Sequence, residues 1–76
     1  MTISKITFVL IKDKQVQTAE TIEGELTAIN RRISRIQYEG WDSTVAVFGE
    51  GAKWDINFPM SQSDIDKTAN KLFRNL

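Results

Sequence analysis

A chain of 76 residues, 41% hydrophobic and 26% charged, suits one small globular domain, which we predict to span residues 1–76. Ten basic and ten acidic side chains cancel, so the overall field favours neither nucleic acid nor an acidic membrane surface. The chain contains no cysteine and no histidine, which excludes disulfides, thiolate or imidazole metal ligands and the commonest general base. We therefore expect no metal ion and no cofactor.

The apolar segments are short. The longest uninterrupted runs, such as Phe8 to Ile11, fall far below the ~20 residues of a membrane-spanning helix. The amino terminus also lacks the basic-then-apolar pattern of a signal peptide. We expect a soluble, cytoplasmic protein that does not contact the membrane.

The first element predicted along the chain is a strand over residues 3–11, ISKITFVLI, because β-branched and aromatic side chains dominate it. Alternation divides its apolar side chains between two faces, one with Ile6, Phe8 and Leu10 and the other with Ile3, Val9 and Ile11. A strand that is apolar on both faces is typical of a central strand, or of one covered by something outside the monomer.

Residues 15–22, QVQTAETI, follow a polar break and allow two readings. As a strand, the segment returns antiparallel to the first, with Val16 and Thr18 pointing the same way. As a helix, it continues into the next element, but Gly24 then lies in the interior of a helix at a cost of about 1 kcal/mol. We predict the strand and keep the long helix as the alternative.

An amphipathic helix is predicted from Ile22 onwards. Its apolar stripe repeats at intervals of four, three, four and three residues and comprises Ile22, Leu26, Ile29, Ile33 and Ile36. Acidic residues come early and arginines late, which complements the helix dipole. Gly40 is expected to end the helix, because glycine readily adopts the left-handed backbone conformation found at helix C-termini.

Residues 43–58 predict a hairpin whose turn contains Gly49 and Gly51. The favoured register sets Val47 opposite Trp54 and collects one apolar face, with Val45, Val47, Trp54, Ile56 and Phe58. We expect this face to point inward, with Trp54 in the core. The opposite face then carries Thr44, Ala46, Phe48, Lys53, Asp55 and Asn57. A slip of one residue would pair the two valines with Lys53 and Asp55, so we prefer the first register.

A second helix is predicted to begin after Ser61, which suits an N-cap position, and its apolar stripe includes Ile65, Ala69 and Leu72. The resulting fold is α+β with the order ββαββα: a four-stranded antiparallel sheet with two helices packed on one face. The alternative is βαββα with one long first helix. In the preferred fold the other sheet face would expose parts of Ile3, Val9, Ile11, Val16 or Phe48.

The densest basic cluster is Arg31, Arg32 and Arg35, close to one helix end. One turn separates Arg31 from Arg35, so both can grip neighbouring phosphates or an acidic protein surface. A solvated helix face explains the same pattern and is the more economical interpretation. We predict that a protein-binding patch consists of these three arginines together with Tyr38 and Trp41. The weaker candidates for this patch are Glu25, Asp42 and Glu50.

No spacing of acidic residues makes a calcium loop, and the glycine-rich segment lacks the residues of a phosphate-binding loop. We therefore predict that the protein is not an enzyme. We expect a protein-binding module, an inhibitor or regulator that occupies a surface of a larger assembly. By analogy of size and composition alone, phages and mobile elements encode such proteins against host defence complexes.

Two other hypotheses come from different classes. The arginine-bearing helix, or a sheet face displaying Phe48 beside Lys53, would bind nucleic acid by charge and stacking. Alternatively, the chain forms a homodimer, with the second copy covering the apolar second face of the sheet.

Overall fold

The computed structural model describes residues 4–49 and 51–76. Four strands and two helices follow in the predicted order ββαββα, which confirms the α+β fold. The elements are β1 (Lys5–Lys12), β2 (Gln15–Glu23), α1 (Leu26–Tyr38), β3 (Ser43–Phe48), β4 (Ala52–Asn57) and α2 (Gln62–Arg74). The strands form one antiparallel sheet in the order β2-β1-β3-β4, with both helices on the same face. The alternative with one long first helix is wrong, because residues 15–23 form a strand.

A two-residue turn joins β1 to β2, and both of its residues, Asp13 and Lys14, have positive φ (53° and 63°), as a primed hairpin turn requires. Further along, the register shifts: Leu10 pairs with Thr18, whereas Ile11 pairs with Val16. The extra residue puts Val16 and Thr18 on opposite faces of the sheet, so the prediction that they point the same way was wrong.

Helix α1 begins at Leu26, four residues later than its apolar stripe suggested. Ile22 belongs to β2, where it pairs with Ile6 and packs against the core from the sheet. Gly24 links the strand to the helix and donates its N–H to the Ser4 carbonyl (2.8 Å). Ile29, Ile33 and Ile36 are fully buried as predicted, while Leu26 is 36% exposed. The helix ends before Gly40, whose φ of 91° confirms the left-handed stop.

The β3–β4 hairpin forms, but its predicted register was wrong by one residue. Ala46 lies opposite Trp54, and Val47 lies opposite Lys53. The reason is that three residues, 49–51, connect the two strands, whereas the register with Val47 opposite Trp54 requires an even number of residues in the turn. Gly49 and Gly51 both have positive φ. Because side chains alternate, a slip of one residue exchanges the two faces of β3.

Pairing with β1 decides which face of β3 is buried. Ala46 lies opposite Phe8, and Phe48 lies opposite Ile6, so both point toward the helices with these core residues. Val45 and Val47 therefore face away from the helices, contrary to the prediction. Trp54 does lie on the helix side, as predicted, but on an edge strand, and it remains 37% exposed.

Helix α2 begins after Ser61, whose Oγ accepts a hydrogen bond from the Asp64 N–H (3.1 Å), confirming the predicted cap. The peptide bond between Phe58 and Pro59, just before this helix, is cis. The core between sheet and helices consists of Ile6, Phe8, Leu10, Ile29, Ile33, Ile36, Ala46, Phe48, Ile56, Ile65, Ala69 and Leu72. Within residues 4–49 and 51–76, neither helix has the length and apolar content needed to cross a membrane.

Candidate functional site

A groove runs between helix α1 and the edge strand β2, whose outer side pairs with no other strand of the described residues. The buried isoleucines of α1 face the core, so the adjacent flank of the helix faces β2. This flank carries Ala28, Arg32, Arg35 and Glu39, at the intervals of four, three and four residues that align one side of a helix. The groove therefore has a helical wall rich in charge and an exposed strand opposite it.

One end of the groove is a depression of about 160 Å³. Apolar atoms line part of it through Ile22 and Ala28, and the side chains of Arg31, Arg32 and Arg35 complete it. Arg31 makes no ion pair with any residue in the described ranges. We call this end the arginine depression.

The other end is a wider depression of about 430 Å³ near the start of β3. Its lining combines apolar side chains with acidic and basic ones: Leu10, Lys12, Thr18, Glu20, Glu39 and Trp41. We call it the acidic depression, because Glu20 and Glu39 line it. Both glutamates lie close to arginines of α1.

Two ion pairs join the depressions. Arg32 contacts Glu20 across the groove with 2.8 Å between Nη1 and Oε2, and both side chains are partly exposed (28% and 37%). Arg35 contacts Glu39 one turn along α1, with 3.7 Å between Nε and Oε2. Pairs with this much access to solvent contribute about 0.2–1 kcal/mol each. The loss of either pair therefore costs little stability.

The structure brings most of the predicted patch together. The three arginines share one depression, and Trp41, half buried against the core, lines the adjoining one. Tyr38 is 91% exposed and lines neither depression. Its inclusion rested on nearness in sequence to the arginines, and the structure does not bring it into the arginine depression.

The weaker candidates have other positions. Glu25 caps α1 through its backbone and makes no side-chain cap. Asp42 braces the β1–β2 turn, because its Oδ2 accepts a hydrogen bond from the Asp13 N–H (2.8 Å). Glu50 lies outside the described residues.

The groove residues that were not nominated from the sequence include Glu20, Ile22 and Glu39. The spacing of Arg35 and Glu39 by four residues is a signal for the helical ion pair. No local signal identifies Glu20 or Ile22, because their place opposite α1 depends on β2 being the outer strand of the sheet.

Two further polar surfaces lie outside the groove. On α2, the exposed residues Lys67, Asn70, Lys71 and Arg74 line a shallow depression, and Lys71 Nζ stands 4.3 Å from the centroid of the Trp54 ring. Between the helices, Asn30 and Gln62 donate hydrogen bonds to Asp66 Oδ1 (2.6 and 3.0 Å). The hydrogen bond from Asn30, followed by that from Gln62, lowers the pKa of Asp66 below its usual value of 3.8.

The structure does not support the hypothesis that the sheet face binds nucleic acid by stacking bases on Phe48. Phe48 is only 7% exposed and packs under the helices, whereas Lys53 lies on the opposite face. The expectation that Phe48 is displayed beside Lys53 was wrong, because the hairpin register differs by one residue.

Within residues 4–49 and 51–76, the acidic side chains form no group of three that could hold a metal ion. No protein-family model, curated protein or solved structure matches the chain. The function must therefore be inferred from the geometry and the chemistry of its surfaces.

Proposed function

We propose that this protein is a non-catalytic protein-binding module whose groove between α1 and β2 takes an acidic segment of a partner protein. The observation that carries the proposal is the convergence of Arg31, Arg32 and Arg35 on one partly apolar depression beside a free strand edge. Such a module acts by covering a surface of its partner, and so inhibits or regulates the larger assembly to which that partner belongs.

The size of the arginine depression favours a side chain over a whole small molecule. Its volume is about 160 Å³, whereas pockets for drug-sized ligands usually measure ~300–1,000 Å³. Ile22 and Ala28 give the depression an apolar wall, and the guanidinium groups offer planar, forked donors that match a carboxylate. An acidic side chain with aliphatic carbons fits both features.

The acidic depression favours protein over nucleic acid. A nucleic-acid strand that followed the groove away from the arginines would bring its phosphates to Glu20 and Glu39. Phosphates repeat regularly along such a strand, so this repulsion is hard to avoid. A protein segment can instead place acidic residues at the arginines and a basic or apolar residue beside the two glutamates.

The outer edge of β2 supplies a way to hold such a segment. The strand leaves a row of backbone donors and acceptors without a neighbouring strand, and an extended peptide can pair with them. Alternate side chains of the added strand would then point toward the groove. Its carboxylates would displace Glu20 from Arg32 and Glu39 from Arg35.

A synthetic extended peptide in which glutamate alternates with valine is a direct probe, with binding followed by fluorescence anisotropy. We expect the Arg31→Gln, Arg35→Gln double variant to bind it about tenfold more weakly, since two contacts of ~0.7 kcal/mol each are lost. A Lys67→Gln, Arg74→Gln double variant removes the same charge from α2 and serves as the matched control, with affinity unchanged.

Removing a competing carboxylate tests the displacement step. Glu39→Gln frees Arg35, so we expect it to tighten peptide binding at low salt.

Single-stranded and duplex oligonucleotides of random sequence form the second arm, each titrated at two salt concentrations. The proposal fails if the control variant weakens peptide binding as much as the arginine variant does. It also fails if oligonucleotides bind more tightly than the peptide, with a steep salt dependence that the arginine variant abolishes.

A further inference from the structure

The face of the sheet turned away from the helices is apolar at its centre. Its apolar side chains come from every strand except β4, and they are Val9, Ile11, Val16, Ala19, Val45 and Val47. Val16 is 65% exposed, and the valines of β1 and β3 are only half buried, by their neighbours in the sheet. No element within the described ranges packs on this face, which we call the open face.

The open face is arranged in rows that cross all four strands. One row reads Thr21, Thr7, Val47 and Lys53, and the next reads Ala19, Val9, Val45 and Asp55. In the first row the Thr7 and Thr21 hydroxyls hydrogen-bond to each other (2.8 Å), so they cost little to cover. The charged side chains lie at the margins, with Glu23 and its neighbour Lys5 at one end of β2 and β1, and with Lys53 and Asp55 along β4.

The margin charges are self-complementary. When a second copy packs face to face about a two-fold axis parallel to the strands, its β4 lies over β2 of the first copy. Val9 then meets the partner's Val45, and Glu23 lies one row from the partner's Lys53, within reach of two long side chains. An axis perpendicular to the strands, midway along the face, instead sets Lys53 against the partner's Asp55 but lays Glu23 over the partner's Val16. Covering the Glu23 carboxylate with an apolar side chain leaves it without a partner, which makes that second arrangement less favourable.

The size of the face indicates how strong such a dimer is. Four strands about 4.8 Å apart and four rows about 6.8 Å apart cover roughly 500 Å² per copy, or about 1,000 Å² in total. Stable interfaces start near that area, and those below ~1,200 Å² are mostly weak and reversible.

We infer that the open face is the contact surface of a homodimer, formed by two copies about a two-fold axis parallel to the strands. Its Kd is on the order of micromolar to tens of micromolar, given the area and the cost of association. The inference is independent of the groove, which lies on the helix side at β2. A dimer leaves both grooves open and so presents two binding sites to a partner with repeated segments.

Sedimentation velocity over a range of protein concentrations measures the equilibrium directly. We expect Glu23→Lys and Lys53→Glu each to raise the Kd about tenfold, because each change turns two attractive contacts into two repulsive ones. The double variant restores the pairing with exchanged charges, so its Kd should return toward the wild-type value. Lys67→Glu makes the same charge change on α2 and should leave the Kd unchanged.

Val16→Lys tests the apolar part of the face at an exposed position where the fold tolerates lysine, and we expect dimerisation to be lost. Far-UV circular dichroism and urea denaturation check that each variant is folded. The inference is overturned if the wild type stays monomeric up to hundreds of micromolar, or if a dimer forms that Val16→Lys does not weaken. A double charge exchange that fails to recover the affinity lost by the single changes refutes the proposed axis.

Discussion

Val45 and Ala46 are neighbours on β3 that lie on opposite faces of the sheet, so leucine at each position tests the hairpin register. Ala46 is fully buried, opposite Phe8 on one side and Trp54 on the other. Leucine there has no space to occupy, and overpacking of this kind costs about 1–3 kcal/mol. Val45 lies half buried on the open face, where Val45→Leu should change the free energy of unfolding by no more than about 0.5 kcal/mol.

Urea denaturation, followed by tryptophan fluorescence and far-UV circular dichroism, measures both free energies. The protein concentration is kept low enough that the monomer dominates. A domain of 76 residues has a stability of about 4–11 kcal/mol, so the loss for Ala46→Leu is easily resolved. It also corresponds to a fall in Tm of about 4–8 °C for each kcal/mol. If Val45→Leu proves the more damaging change, the two faces of β3 are exchanged and the reasoning about the open face is refuted.

Two further predictions concern helix α2 and its contacts. Ser61→Ala removes the cap from the first turn and should lower the free energy of unfolding by about 1 kcal/mol. Ser63→Ala, in the same turn, is the control and should have little effect. Equal losses of stability for both variants would argue against the cap. Hydrogen bonds from Asn30 and, second, from Gln62 lower the pKa of Asp66 in the folded state. The stability that these bonds contribute is present above pH 3.8, the usual pKa of the carboxyl group, and is lost as the pH falls through the pKa of Asp66 in the folded protein. Asp66→Asn should therefore be less stable than wild type at neutral pH, and urea denaturation should show the difference shrinking in acid; a difference independent of pH would contradict this.

The two proposed contacts use different parts of the protein surface, the groove and the open face. The groove offers charge and a free strand edge, which suit an extended acidic segment. The open face offers apolar side chains with charge only at its margins, which suits a second sheet of the same kind. Because the surfaces lie on different sides of the sheet, neither contact obstructs the other.

Local patterns in the sequence were sufficient for the elements and for much of the core. The alternation in β1 identified Ile6, Phe8 and Leu10 as the buried set, and the helical spacing identified Ile33 and its neighbours. The capping serine and the left-handed glycine also marked their helix ends correctly. Each of these features depends on residues within a few positions of one another, so the sequence carries the full signal.

The arginine cluster was also visible in the sequence, but its surroundings were not. That Arg32 meets Glu20, and that Ile22 lines the same depression, follows from β2 being the outer strand of the sheet. Strand order is decided by which pairings bury the most apolar surface across the whole sheet, and no segment taken alone contains that information.

By itself, the sequence determined the segments, their order and the faces of β1, because apolar spacing and end signals act locally. The tertiary structure alone decided the faces of β3, because two registers of one hairpin differ by a single residue in the turn. Pairing with β1 then set Ala46, not Val45, against the helices. Contacts distant in sequence choose between registers that are locally almost equal, and the choice determines which side chains are left for a partner.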